Sequence, residues 1–137
     1  MEFINLLIPD QEKKNIKHLI NLLERASQSL GHSLESEVVG GVTSKPWPRK
    51  DIDIVCTILD LNGKLKGTRL DRANQQLNVL INITNEAISY DNKFSVDKII
   101  RPYEDHQFSD PEILAFGGVI RLNSRNGVQI EIIGGLA

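Results

Sequence analysis

Apolar side chains recur in two different rhythms along this chain, and the switch between them divides it into elements. From Asp10 to Leu30, DQEKKNIKHLINLLERASQSL, the apolar positions Ile16, Leu19, Ile20, Leu23 and Leu30 keep a helical period. Asp10 after Pro9 serves as N-cap and Gly31 as the stop. SLESEVV then alternates as a strand into Gly40 and Gly41, and DIDIVCTIL is a second strand rich in β-branched residues. After the loop LNGKLKG, Thr68 and Asp71 form a capping box for a long helix, with Leu70, Ala73, Leu77, Leu80, Ile81 and Ile88 as its buried stripe.

KFSVDKIIR predicts a third strand, and SDPEILAF a short helical turn with Asp110 as cap, Pro111 in first position and Gly117–Gly118 behind it. VIRLN and VQIEII flank Asn126–Gly127, a hairpin signal. A two-residue loop sets Arg125 against Val128 and Leu122 against Glu131. In the return strand Val128, Ile130 and Ile132 share one face, and Glu131 projects from the less apolar one.

At 137 residues, without repeats or a linker, the pattern predicts a single domain over residues 1–137 with an α/β (α+β) fold. Net charge is −2, pI is near 5.9 and aromatic content is 5%, so neither a general affinity for nucleic acid nor one for membranes is expected. The opening MEFINLLIP has no cationic leader, and no apolar run approaches the roughly 20 residues that span a bilayer. With a single cysteine, Cys56, a cytoplasmic location is expected.

The chemistry concentrates in VVGGVTSKPWPRKDIDIVC. Asp51 and Asp53 stand on one face of a strand, about 6.5–7 Å apart at Cα, close enough to share a cation. Without one their charges repel. Oxygen-only donors favour Mg²⁺ or Mn²⁺ over zinc. Such a pair also occurs at the half-exposed beginning of a strand with no ligand at all. Here, however, two glycines and a loop holding Thr43, Ser44, Lys45, Arg49 and Lys50 precede it, and backbone N–H groups, hydroxyls and basic side chains together suit phosphate oxygens.

Gly40–Gly41, then Asp51 and Asp53, then Glu131 on a later strand together resemble the polymerase-beta-like nucleotidyltransferase superfamily. Its pattern is hG[GS], a variable loop, Dh[DE]h and a third carboxylate. The resemblance covers roughly residues 36–60 and 119–133. It implies a small mixed sheet with helices packed mainly on one face, a nucleoside triphosphate (ATP foremost) and two Mg²⁺ ions, with Mn²⁺ as substitute. Gly40, Gly41, Thr43, Ser44, Lys45 and Arg49 would bind the triphosphate, while Asp51, Asp53 and Glu131 would ligate metal and carry catalysis. The implied reaction moves a nucleoside monophosphate to a hydroxyl of a small molecule, protein or RNA.

The family's larger members carry a helical C-terminal region, whereas this chain stops four residues after Ile133. The competing reading is a non-catalytic or regulatory module of the same fold, such as the antitoxin half of a toxin–antitoxin pair beside a helical protein partner. A dinucleotide-binding βαβ unit is disfavoured, because GxGxxG is missing and the glycines lead into a basic loop.

Other polar residues have quieter assignments. Trp47 either stacks on a ring or covers the core edge, and Cys56 belongs to the core. His18 and His32 are read as surface helix residues. His106 with Glu104, Asp105 and Asp110 is a solvated loop or an alternative metal cluster. Lys98 and Arg101 are held in reserve as phosphate contacts.

Overall fold

The computed structural model describes residues 9–39, 51–102, 117–125 and 127–135, and of Asp51 the backbone alone. Two helices, α1 (Asp10–Ser29) and α2 (Arg69–Ser89), accompany strands β1 (Leu34–Val39), β2 (Asp51–Ile58), β3 (Phe94–Ile100), β4 (Val119–Ser124) and β5 (Gln129–Gly134). The strands form one sheet in the order β1-β2-β5-β4-β3. β2 and β5 run parallel, and the other three pairings are antiparallel. The expected mixed α+β architecture is therefore present, and among the described residues no helix is long and apolar enough to cross a membrane.

Alternation divides the sheet's two faces. Ile52, Ile54, Cys56 and Ile58 of β2, with Leu122 of β4 and Ile130 and Ile132 of β5, join Ile16, Leu19 and Leu23 of α1 and Leu77, Leu80 and Ile83 of α2 in one core. Both helices thus pack on this face. The opposite face keeps a small apolar group, Val55, Ile100, Val119 and Ile133, beside the polar positions Asp53, Glu131 and Arg121. Cys56 is fully buried, as expected, and burial pushes its thiol up to about 12, the hydrogen bond with Ser36 acting against the rise. A thiolate-directed reagent at pH 8 is therefore expected to leave Cys56 intact in the folded chain and to modify it fully in denaturant, as mass spectrometry would show.

Several local expectations change. Asp10 is the first helical residue, not the cap; Pro9 holds the N-cap position, and no side chain caps α1. At the other end Gly31, at φ +79°, takes the left-handed turn. This lets His32 N–H reach Ser27 O at 2.7 Å and closes the helix. His32 thus follows the helix instead of lying on it. The Thr68–Asp71 capping box is present. Leu70 is 44% exposed, however, because the buried stripe of α2 starts only at Ala73, and Leu30 at the end of α1 is 42% exposed. Gln76 and Thr84, both buried, extend that stripe by hydrogen bonds to Gly135 O and Leu80 O. The segment expected to form the helical turn at 109–116 lies outside the described residues.

Both described histidines anchor α1 to loops. His18 bonds Asp91 at 2.6 Å, between α1 and the turn before β3. His32 bonds Asp60 at 2.8 Å, while Ser33 N–H donates to the other Asp60 oxygen at 2.6 Å. Asp91 is held below its ordinary value of 3.8, chiefly by the His18 bond and then by Lys93 N–H. Partial burial pushes Asp60 up, but the Ser33 and His32 bonds outweigh it and the net direction is also down from 3.8. A carboxylate with a depressed folded pKa stabilises fully above its unfolded value and stops doing so as pH falls through the folded one. Stability should therefore decline below about pH 4, and Asp60→Asn should flatten that decline while costing on the order of 1 kcal/mol at neutral pH. Thermal melts of both proteins between pH 2 and 7 provide the check.

Candidate active site

The site is built by register. In the parallel ladder Asp51 stands opposite Gln129 and Asp53 opposite Glu131. Adjacent strands lie about 4.8 Å apart, so residues 53 and 131 are side-by-side neighbours on the face away from the helices. β2 presents Asp53 there because its apolar positions, Ile52 and Ile54, are committed to the core. β5 presents Glu131 for the same reason, between Ile130 and Ile132. Oδ1 of Asp53 is shut off from solvent, and the Glu131 side chain is 14% exposed. Two carboxylates therefore meet on one partly dry surface, where their mutual repulsion is costly unless positive charge is close.

Positive charge is supplied from the other side. β4 sets Arg121 opposite Glu131, and its Nε and Nη2 donate to Glu131 Oε1 at 3.2 and 3.0 Å. A row thus runs across the sheet from Asp53 through Glu131 and Arg121 to Lys98, the β3 residue in register with Arg121. Arg121 was missed by the sequence reading because the hairpin register differs from expectation. Gly127 N–H bonds Ser124 O and Ser124 N–H bonds Val128 O, both at 3.1 Å, so the loop is three residues, 125–127, not two. Gly127 at φ +83° makes this the turn-plus-left-handed-residue hairpin. Leu122 then faces Ile130, and Arg121 faces Glu131. The available signal was pairing of like with like: a register putting Leu122 beside Glu131 mixes the two faces, and one step relieves this.

The other expected residues divide. Gly40, Gly41, Thr43, Ser44, Lys45 and Arg49 lie outside the described residues, as do Trp47, the Glu104–Asp110 group around His106 and the side chain of Asp51. Arg101 turns to α2, donating to Asn78 Oδ1 at 2.9 Å and Asn74 Oδ1 at 3.3 Å, and so does not join the row. Lys98 is in the row but exposed. Among the described residues no three His, Cys, Asp or Glu side chains gather to hold a metal. Asp53 and Glu131 supply the hard oxygen donors that a divalent cation prefers, two of the three carboxylates in the motif.

No protein-family model and no curated protein sequence matches the chain. Its structure does have solved counterparts. It matches terminal uridylyl transferase 4 from Trypanosoma brucei with bound CTP at TM-score 0.58 and 12% identity, covering 96% of this chain and 37% of that one. The same enzyme with bound UTP and UMP matches at TM-score 0.57 and 12% identity, over 88% and 34%. The chain has a nucleotidyltransferase fold. It spans about a third of the length of these structures. Within the nucleotidyltransferase fold, β2 and β5 are the strands that bring Asp53 and Glu131 together.

Proposed function

We propose that the protein is a nucleotidyltransferase that moves a nucleoside monophosphate from a nucleoside triphosphate, ATP foremost, to a hydroxyl acceptor. The observation that carries this reading is the direct pairing of Asp53 with Glu131 across the parallel β2–β5 ladder of this fold. Asp51, which opens β2, adds the remaining carboxylate, the first of the Dh[DE]h element. These three would hold two Mg²⁺ ions, which when bound neutralise the triphosphate and the charge developing at the α-phosphorus. Gly40, Gly41, Thr43, Ser44, Lys45 and Arg49, which precede β2 in the chain, are assigned to the phosphates. The acceptor hydroxyl passes its proton to a site carboxylate or water as its oxygen bonds the α-phosphorus in line with the departing pyrophosphate, whose P–O bond breaks. The buried side of Asp53 restricts water there, so this carboxylate acts at low screening.

Calorimetric titration is expected to show ATP binding with Mg²⁺ and none with EDTA. No binding at millimolar nucleotide overturns the proposal. Transfer of a labelled α-phosphate to RNA, protein or small hydroxyl compounds then identifies the acceptor. A non-catalytic role draws support from one feature, the cation already applied to Glu131 by Arg121. It predicts nucleotide binding without transfer to any acceptor.

A further inference from the structure

Arg121 gives one of the site's carboxylates a partner inside the chain. Its guanidinium directs two N–H groups to a single oxygen, Glu131 Oε1, at 3.2 and 3.0 Å, and both side chains are largely covered, 24% and 14% exposed. A largely covered arginine–carboxylate contact is charge-assisted and less screened than an exposed ion pair. On the other side of Glu131 lies Asp53. The positive charge therefore sits where it relieves crowding of the two carboxylates, and also where it repels an incoming cation and occupies a donor oxygen.

Resting on the nucleotidyltransferase reading, we propose that Arg121 is a positioning residue that keeps Glu131 engaged until a triphosphate arrives, so that metal and nucleotide load together. Phosphate oxygens compete for a guanidinium as carboxylates do, and they bring more negative charge. A triphosphate at the Asp53–Glu131 row draws Arg121 off Glu131 Oε1 and releases that oxygen as a donor. A divalent ion alone offers the guanidinium nothing in exchange. It meets the charge of Arg121 and finds Glu131 Oε1 already engaged.

The consequence is a pair of opposite shifts. Binding of Mn²⁺ alone, followed by the electron paramagnetic resonance signal of the free ion, should tighten about tenfold in Arg121→Gln. Binding of Mg·ATP, followed by calorimetry, should weaken several-fold in the same variant. Arg121→Lys keeps the charge but loses the two-pronged grip, and should lie between wild type and Arg121→Gln in both titrations. Adding Glu131→Gln to Arg121→Gln should erase the gain in Mn²⁺ affinity, because the gain passes through that carboxylate.

A purely structural ion pair would lower thermal stability and leave metal affinity unchanged or reduced. Equal Mn²⁺ affinities across wild type, Lys and Gln variants, or shifts of both ligands in the same direction, overturn the proposal. Should Arg121→Gln not fold, the comparison of Arg121→Lys with wild type decides by the same criterion. A wild type that binds Mg·ATP with flat Mn²⁺ affinities refutes the role of Arg121 alone. A wild type that never binds Mg·ATP refutes the nucleotidyltransferase reading.

Discussion

Asp53→Asn is expected to reduce nucleotidyl transfer about a thousandfold or more while leaving the fold intact. The substitution keeps the shape and the hydrogen-bonding capacity of the side chain but removes the charge. Asp53, on β2, lies beside Glu131 of β5, and its Oδ1 is closed to solvent. An amide there cannot neutralise a divalent ion, so the loss falls on the reaction. Stability should move the other way or not at all, because asparagine also removes the repulsion between neighbouring carboxylates. Turnover of labelled nucleotide and a thermal melt, measured together, check both parts. Asp97→Asn, at an exposed position on β3, should stay within about twofold of wild type in turnover. A drop at Asp97 as large as that at Asp53 would mean that net charge, not the row, controls the reaction.

Leu80→Ala should cost about 3 kcal/mol of folding stability. Leu80 is fully buried in the middle of α2, in the cluster shared by α1 and the helix-facing side of the sheet. Removing most of its side chain loses the transfer free energy of those atoms and leaves a cavity that two helices and a five-stranded sheet close only in part. For a domain of this size that is a large share of the total stability. Urea unfolding should show a lower midpoint with an unchanged slope. Because Leu80 lies on the face opposite the carboxylates, transfer per folded molecule at low temperature should survive.

The sequence showed the parts of this fold that rest on short-range rules. Thr68 and Asp71 announce α2 because both halves of their capping exchange lie within one turn, and Ile52, Ile54 and Cys56 declare the buried side of β2 by alternation alone. The candidate site was visible as far as residue types on one face can be read, which covers Asp53 and Glu131. Their adjacency followed from the family resemblance alone, since no local rule says that β5 pairs with β2 and in parallel. Arg121 was lost to a single-residue error in loop length, and in a strand that step exchanges the two faces. Leu70 and Leu30 show a different limit: periodicity marks a stripe, but not how much of the stripe its neighbours cover. The fate of Arg101 depended on Asn74 and Asn78, residues with no apolar rhythm to place them.

The strand order carries one more implication. β5 follows every other described strand, yet it is the middle strand of the sheet, wedged between β2 and β4. Until it inserts, β2 presents an open edge, with backbone donors and acceptors ready to pair with a neighbouring molecule. A nascent or partially unfolded chain is thus most prone to self-association at the strand bearing Asp51 and Asp53. Their charges then serve a second purpose, as gatekeepers against sticky growth at that edge. The same insertion assembles the carboxylate pair, so on the proposed reading the metal site would form only when the sheet is sealed, and a molecule caught halfway would be unable to begin chemistry on a nucleotide.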